Sequence, residues 1–214
     1  MTQDDTPNPL PIGLQFYWYE SKPGEEHAQY WAELCGSMHR LAYVREELEA
    51  VLDVRDIDQA LERLAYHMEN YLVRIYELQE RSAKLLMAFS GYKGDIRQLK
   101  WRETRQKALS RLPHISESIV GQYLSLLSLL DDDIVLRNQN THDTFLGLGF
   151  STGYDIYDPH DALVDLQHQV REHKAFKKKL RKEISQAIER YSTKIDEINR
   201  LTRGLLEAMD FTKK

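Results

Sequence analysis

Three residue types that can act together on a phosphate lie within six positions of this chain. They are Arg137, Asn138 and His142, in the stretch Asp131 to Phe145 that reads DDDIVLRNQNTHDTF. An arginine is a fixed cation that can neutralise a phosphodiester as charge builds on it, and a histidine titrates near neutrality and can move a proton. RNA supplies the matching nucleophile, its own 2′-hydroxyl. On a helix Asn138 and His142 are four apart and share a face, so the amide can orient the imidazole. Arg137 and His142, five apart, stand about 140° from one another around the axis. Spacing alone also fits a second reading, an exposed helical arginine beside a capped or half-buried imidazole with no catalytic role.

The elements that must hold these residues are helical. Six prolines and ten glycines in 214 residues leave long tracts rich in Leu, Ala, Glu, Lys, Arg and Gln, which favours an all-α fold. Residues 1–24 read as a short non-helical arm carrying the aromatic cluster IGLQFYWYES, and residues 25–214 as one helical bundle domain. From Glu25 to Leu52 the positions Tyr30, Trp31, Leu34, Met38, Leu41, Val44 and Leu48 recur at helical steps. A second helix begins near Asp56, with Asp58 available for capping or for favourable first-turn charge, and ends near Gly91. The charged stretch Asp95 to Leu112 predicts a solvated helix, stopped by Pro113. Ser116 to Leu130 resumes an apolar face. A loop of about a dozen residues, GLGFSTGYDIYDP, precedes a last helix over about 160–209, which at 1.5 Å per residue reaches roughly 70 Å and must protrude, bend or pack on a second copy.

Composition bounds the remaining chemistry. The net charge of −5 speaks against a surface basic all over. The densest positive stretch runs from Arg171 to Lys182. Lys174, Lys177, Lys178 and Arg181 form either a solvated helix face or a track for an RNA backbone, and the two readings stand level. Asp131, Asp132 and Asp133 suit the positive start of a helix better than a metal site, because consecutive carboxylates point in different directions. His160, His168 and His173 lack metal-ligand spacing and a thiolate partner, so neither metal nor cofactor is expected. The lone Cys35 reads as a small core residue of a protein in a reducing, cytoplasmic compartment. No stretch is long and apolar enough for a membrane span, and the acidic N-terminus does not resemble a signal peptide. The tyrosines Tyr66, Tyr71 and Tyr76 read as core or interface before a base-stacking platform.

The hexapeptide R-N-Q-N-T-H, Arg137 to His142, resembles the R-N-x-x-x-H signature of the HEPN superfamily, helical domains of many prokaryotic ribonucleases, toxins and CRISPR effectors. Leu136 before it, Phe145 after it, and the segment HMENYLVRIYEL from His67 to Leu78 are similar to small stand-alone prokaryotic members, and the likeness spans residues 25 to 205. The resemblance implies a motif that opens a helix after an apolar one, and a metal-independent endoribonuclease whose site forms where two motifs meet in a homodimer. It casts Arg137 as phosphate ligand, His142 as general acid or base and Asn138 as their positioning neighbour. A toxin–antitoxin or phage-defence setting, with a protein antitoxin or regulator as partner, follows from the same likeness. Members silenced through a tyrosine two residues after the histidine have H-x-Y, whereas Asp143 and Thr144 follow His142 here, so that mode of control is not expected. Two other readings stay open: a HEPN-like module that binds RNA, nucleotide or protein without cutting, and a helical scaffold in which the motif is a coincidence.

Overall fold

The computed structural model describes residues 25–142 and 166–209. Periodic apolar positions at three- and four-residue steps make five α-helices, as the all-α reading expects: α1 Glu25–Ala50, α2 Ile57–Phe89, α3 Trp101–Arg111, α4 Glu117–His142 and α5 Leu166–Ala208. Short 3-10 turns cover Val51–Asp53, Ile96–Gln98 and Leu112–His114. The expected N-terminal arm, the loop around 146–159 and residues 160–165 of the expected last helix lie outside the described residues.

Local chemistry sets the boundaries. Asp56 caps α2, its Oδ1 accepting from the backbone N–H groups of Asp58 and Gln59 at 3.1 and 2.9 Å. The helix stops where Gly91 takes φ 69°, a left-handed conformation that glycine adopts without Cβ strain. Arg111 then ties α3 back to the end of α2, donating to the Ser90 hydroxyl at 3.0 Å and to the Ser90 carbonyl at 2.7 Å.

The four long helices form an antiparallel up-down-up-down bundle. His27 lies 2.8 Å from the Ala88 carbonyl, so α1 starts where α2 ends. Arg45 pairs with Asp196 at 3.2 Å, and Arg181 donates to the carbonyls of Val54 and Arg55, so α5 descends alongside the ascent of α1. Contacts run α1 to α2, α2 to α4, α4 to α5 and α5 to α1, with α3 buttressing α2. One core fills the middle: Trp31, Leu34, Leu41 and Leu48 of α1 meet Leu64, Met68, Ile75 and Leu78 of α2, Tyr123, Leu126 and Leu130 of α4, and Ile188, Ile195 and Ile198 of α5. Each fully buried aliphatic side chain contributes about 1.5 to 3 kcal/mol of transfer free energy. No helix among the described residues is long and apolar enough to cross a membrane.

The acidic run departs from the sequence expectation. Asp131, Asp132 and Asp133 do not begin a helix, and the R-N-x-x-x-H motif does not open one. α4, Glu117–His142, runs unbroken through the acidic run and carries the motif in its last described turns. Partners from other helices stabilise Asp131 and Asp133 within that continuous helix.

Candidate functional site

The buried stripe of α4 is Ile119, Tyr123, Leu126, Leu127, Leu130, Asp133 and Ile134. A carboxylate in that stripe needs a cation and hydrogen bonds to offset lost hydration. Asp133 has both: its Oδ2 lies 2.6 Å from Lys194 Nζ of α5 and accepts from the Tyr71 hydroxyl of α2 at 2.7 Å. Asp131, two residues earlier, takes Arg105 of α3 at 2.9 and 3.0 Å and a longer bond from Gln79 at 3.4 Å. Two aspartates thus fasten α4 to the three helices around it, one turn before the motif. Burial, reinforced by the Asp133 carboxylate, pushes the Tyr71 phenol well above its ordinary pKa, so it stays a proton donor.

The fastening fixes where the motif stands. Gln122 of α4 lies against Gly204 of α5, where a Cβ would come within 2.9 Å of the Gln122 side-chain oxygen. Asp133 meets Lys194 further along. Eleven residues up α4 therefore match ten down α5, and the helices are antiparallel and in step. Arg137 falls four residues beyond Asp133, and position 190 falls four before Lys194. Asn138 follows Ile134 by one turn, and His142 comes level with about Ser185. All three motif positions sit at the end of the bundle that carries the α1–α2 turn.

The basic stretch reaches the same end. Lys174, Lys177, Lys178 and Arg181 share one face of α5 and lie about 6 to 17 Å beyond the level of His142 along its axis. Lys174 and Lys178 are exposed and Lys177 is half-buried. Arg181 is engaged in part by the Val54 and Arg55 carbonyls, so it serves as a clasp between α5 and the α1–α2 turn. Lys179 pairs with Glu183 at 3.7 Å.

Sequence reasoning missed the hydrogen bond of the Tyr71 hydroxyl and the pairing of Arg105 and Lys194 with the aspartates. The available signal was the oddity of three carboxylates inside an apolar helical run, which demands distant cations if the helix continues. Of the tyrosine series, Tyr71 is core, Tyr76 half-buried and Tyr66 62% exposed. Cys35 is buried, and burial pushes its thiol up to about 12. Among the described residues no group of three or more His, Cys, Asp or Glu side chains gathers as a cation site.

These features define a class: an antiparallel four-helix bundle with a polar-bonded seam between α4 and its neighbours and a basic face on α5. No protein-family model, curated protein or solved structure matches the chain.

Proposed function

We propose that this chain is a metal-independent endoribonuclease of the HEPN type, working as a homodimer in the cytoplasm in a toxin–antitoxin or phage-defence setting. The observation that supports the reading most is topological: the helix end bearing Arg137, Asn138 and His142 and the basic face of α5 share one end of the bundle. A phosphate backbone that follows the basic face of α5 leads to the level of the motif.

In this mechanism Arg137 binds the scissile phosphate and neutralises charge as it grows. His142 takes or gives the proton, and Asn138 positions it. The RNA 2′-oxygen bonds to phosphorus as its proton leaves, and the P–O bond to the next nucleotide breaks. The products are a 2′,3′-cyclic phosphate and a 5′-hydroxyl that has gained a proton. The second copy of the motif completes the cleft, and a protein antitoxin or regulator would act by covering it.

Purified protein in EDTA is expected to cut RNA to fragments ending in cyclic phosphate, and His142→Ala and Arg137→Ala each to lose at least about a hundredfold in rate. Parent-like cutting by both variants defeats this assignment. RNA binding without products selects the non-catalytic binding module instead. Light scattering at micromolar concentration is expected to give twice the 25.2 kDa chain mass.

A further inference from the structure

We propose that Arg190 is a second phosphate-binding residue, level with position 137 across the seam between α4 and α5, so that an RNA phosphodiester bound at that end of the bundle is held from α5 as well. The identity of the ligand rests on the ribonuclease reading; the placement of Arg190 does not.

Three observations carry it. The first is placement. Asp133 and Lys194 touch across the seam, and antiparallel helices in step bring the next turn of each, positions 137 and 190, opposite one another. The second is charge. Each neighbouring cation that could share the task is already neutralised: Lys194 on Asp133 and Arg105 on Asp131. Arg190 is exposed and has no carboxylate partner among the described residues. The Arg190 charge therefore stands one turn past the Asp133–Lys194 pair with no described carboxylate bonded to it, and a phosphate oxygen can take that place.

The third is preorganisation. The Arg190 guanidinium lies 4.8 Å from the centroid of the Tyr191 ring. Tyr191 meets Tyr71 edge-on at 5.2 Å and 63°, and Tyr71 bonds Asp133. The head group is therefore propped on an aromatic pair rooted in the buried carboxylate. A guanidinium lying on a ring keeps its N–H edges available, and its planar fork matches two phosphate oxygens, which an ammonium cannot do. Glu189 is exposed beside it and is the nearest acidic residue in sequence.

The test is binding of a single-stranded RNA fully 2′-O-methylated, which cannot be cut, across a salt series. The parent, Arg190→Gln, Arg190→Lys and the control Arg200→Gln are compared. Arg200 is exposed and paired with Glu197 at 3.3 Å, roughly 15 Å along α5 from Arg190. Arg190→Gln is expected to weaken binding about tenfold or more and to lower the slope of log K against log salt by about 0.7, one phosphate contact on a single strand. Arg190→Lys keeps the slope but not the full affinity, because it keeps the charge and loses the fork. Arg200→Gln leaves both unchanged. An Arg190→Gln that matches Arg200→Gln overturns the proposal, with parental circular dichroism confirming that both are folded. If the parent binds but cuts no unmodified RNA, the nuclease reading falls while this measurement still decides Arg190. If the parent binds no RNA, both fall.

Discussion

Asp133 is the residue on which the candidate site depends most without belonging to it. Replacing it by Ala leaves the Lys194 ammonium and the Tyr71 hydroxyl without their shared acceptor. Breaking one side of a buried pair costs roughly 3 to 5 kcal/mol, and the partial exposure of Lys194 puts the expected loss at the lower end. Urea denaturation of Asp133→Ala against Asp133→Asn measures it, with the amide, which still accepts from Tyr71, losing less. His67 gives a pH signature. Burial holds its imidazole below the usual range against the pull of Glu47, 3.7 Å away. The unfolded chain therefore takes up a proton near pH 6.5 before the folded one does, and stability present above that pH is lost as pH falls. His67→Gln is expected to flatten the urea midpoint between about pH 7 and 5 relative to the parent; an unchanged slope would mean other groups dominate. Cys35, with its thiol raised to about 12, should resist alkylation in the native state and react on addition of urea.

At the level of helices, most of the architecture was legible and the reason is periodicity. α1 buries Trp31, Leu34, Met38, Leu41, Val44 and Leu48 at the steps the sequence picks out, with Tyr30 half-buried at its start, and Gly91 marks the end of α2 as a left-handed stop. At the start of α2 the cap is Asp56, whose carboxylate accepts from the backbone N–H groups of Asp58 and Gln59, while Asp58 places its charge in the first turn as expected. Asp56→Ala is expected to cost about 1 kcal/mol in urea denaturation, the usual worth of such a cap. α4 was misread at Asp131 because local reasoning sees three carboxylates and supplies a helix start. The partners that allow the helix to continue come from far away in the chain, Tyr71 and Lys194 for Asp133 and Arg105 for Asp131. Tertiary pairing of that range leaves no trace in a window of a dozen residues. The same limit hid Arg190, which is an ordinary surface arginine until α4 and α5 are laid in step.

For the whole molecule, an up-down-up-down order sorts the chain by end. The start of α1, the end of α2 and the last turn of α5 gather at one end, and the motif with the basic face of α5 at the other. Met209 lies nineteen residues along the chain from Arg190, roughly 30 Å down the axis. This polarity has a practical consequence for handling. A molecule anchored to a solid support beyond Met209 is expected to stand with the motif and the basic face of α5 outward and to capture RNA at nearly its solution affinity. Anchoring through Lys178→Cys should bury that end against the support and abolish capture in the same surface-binding measurement. The inert Cys35 leaves an engineered thiol as the one a maleimide finds.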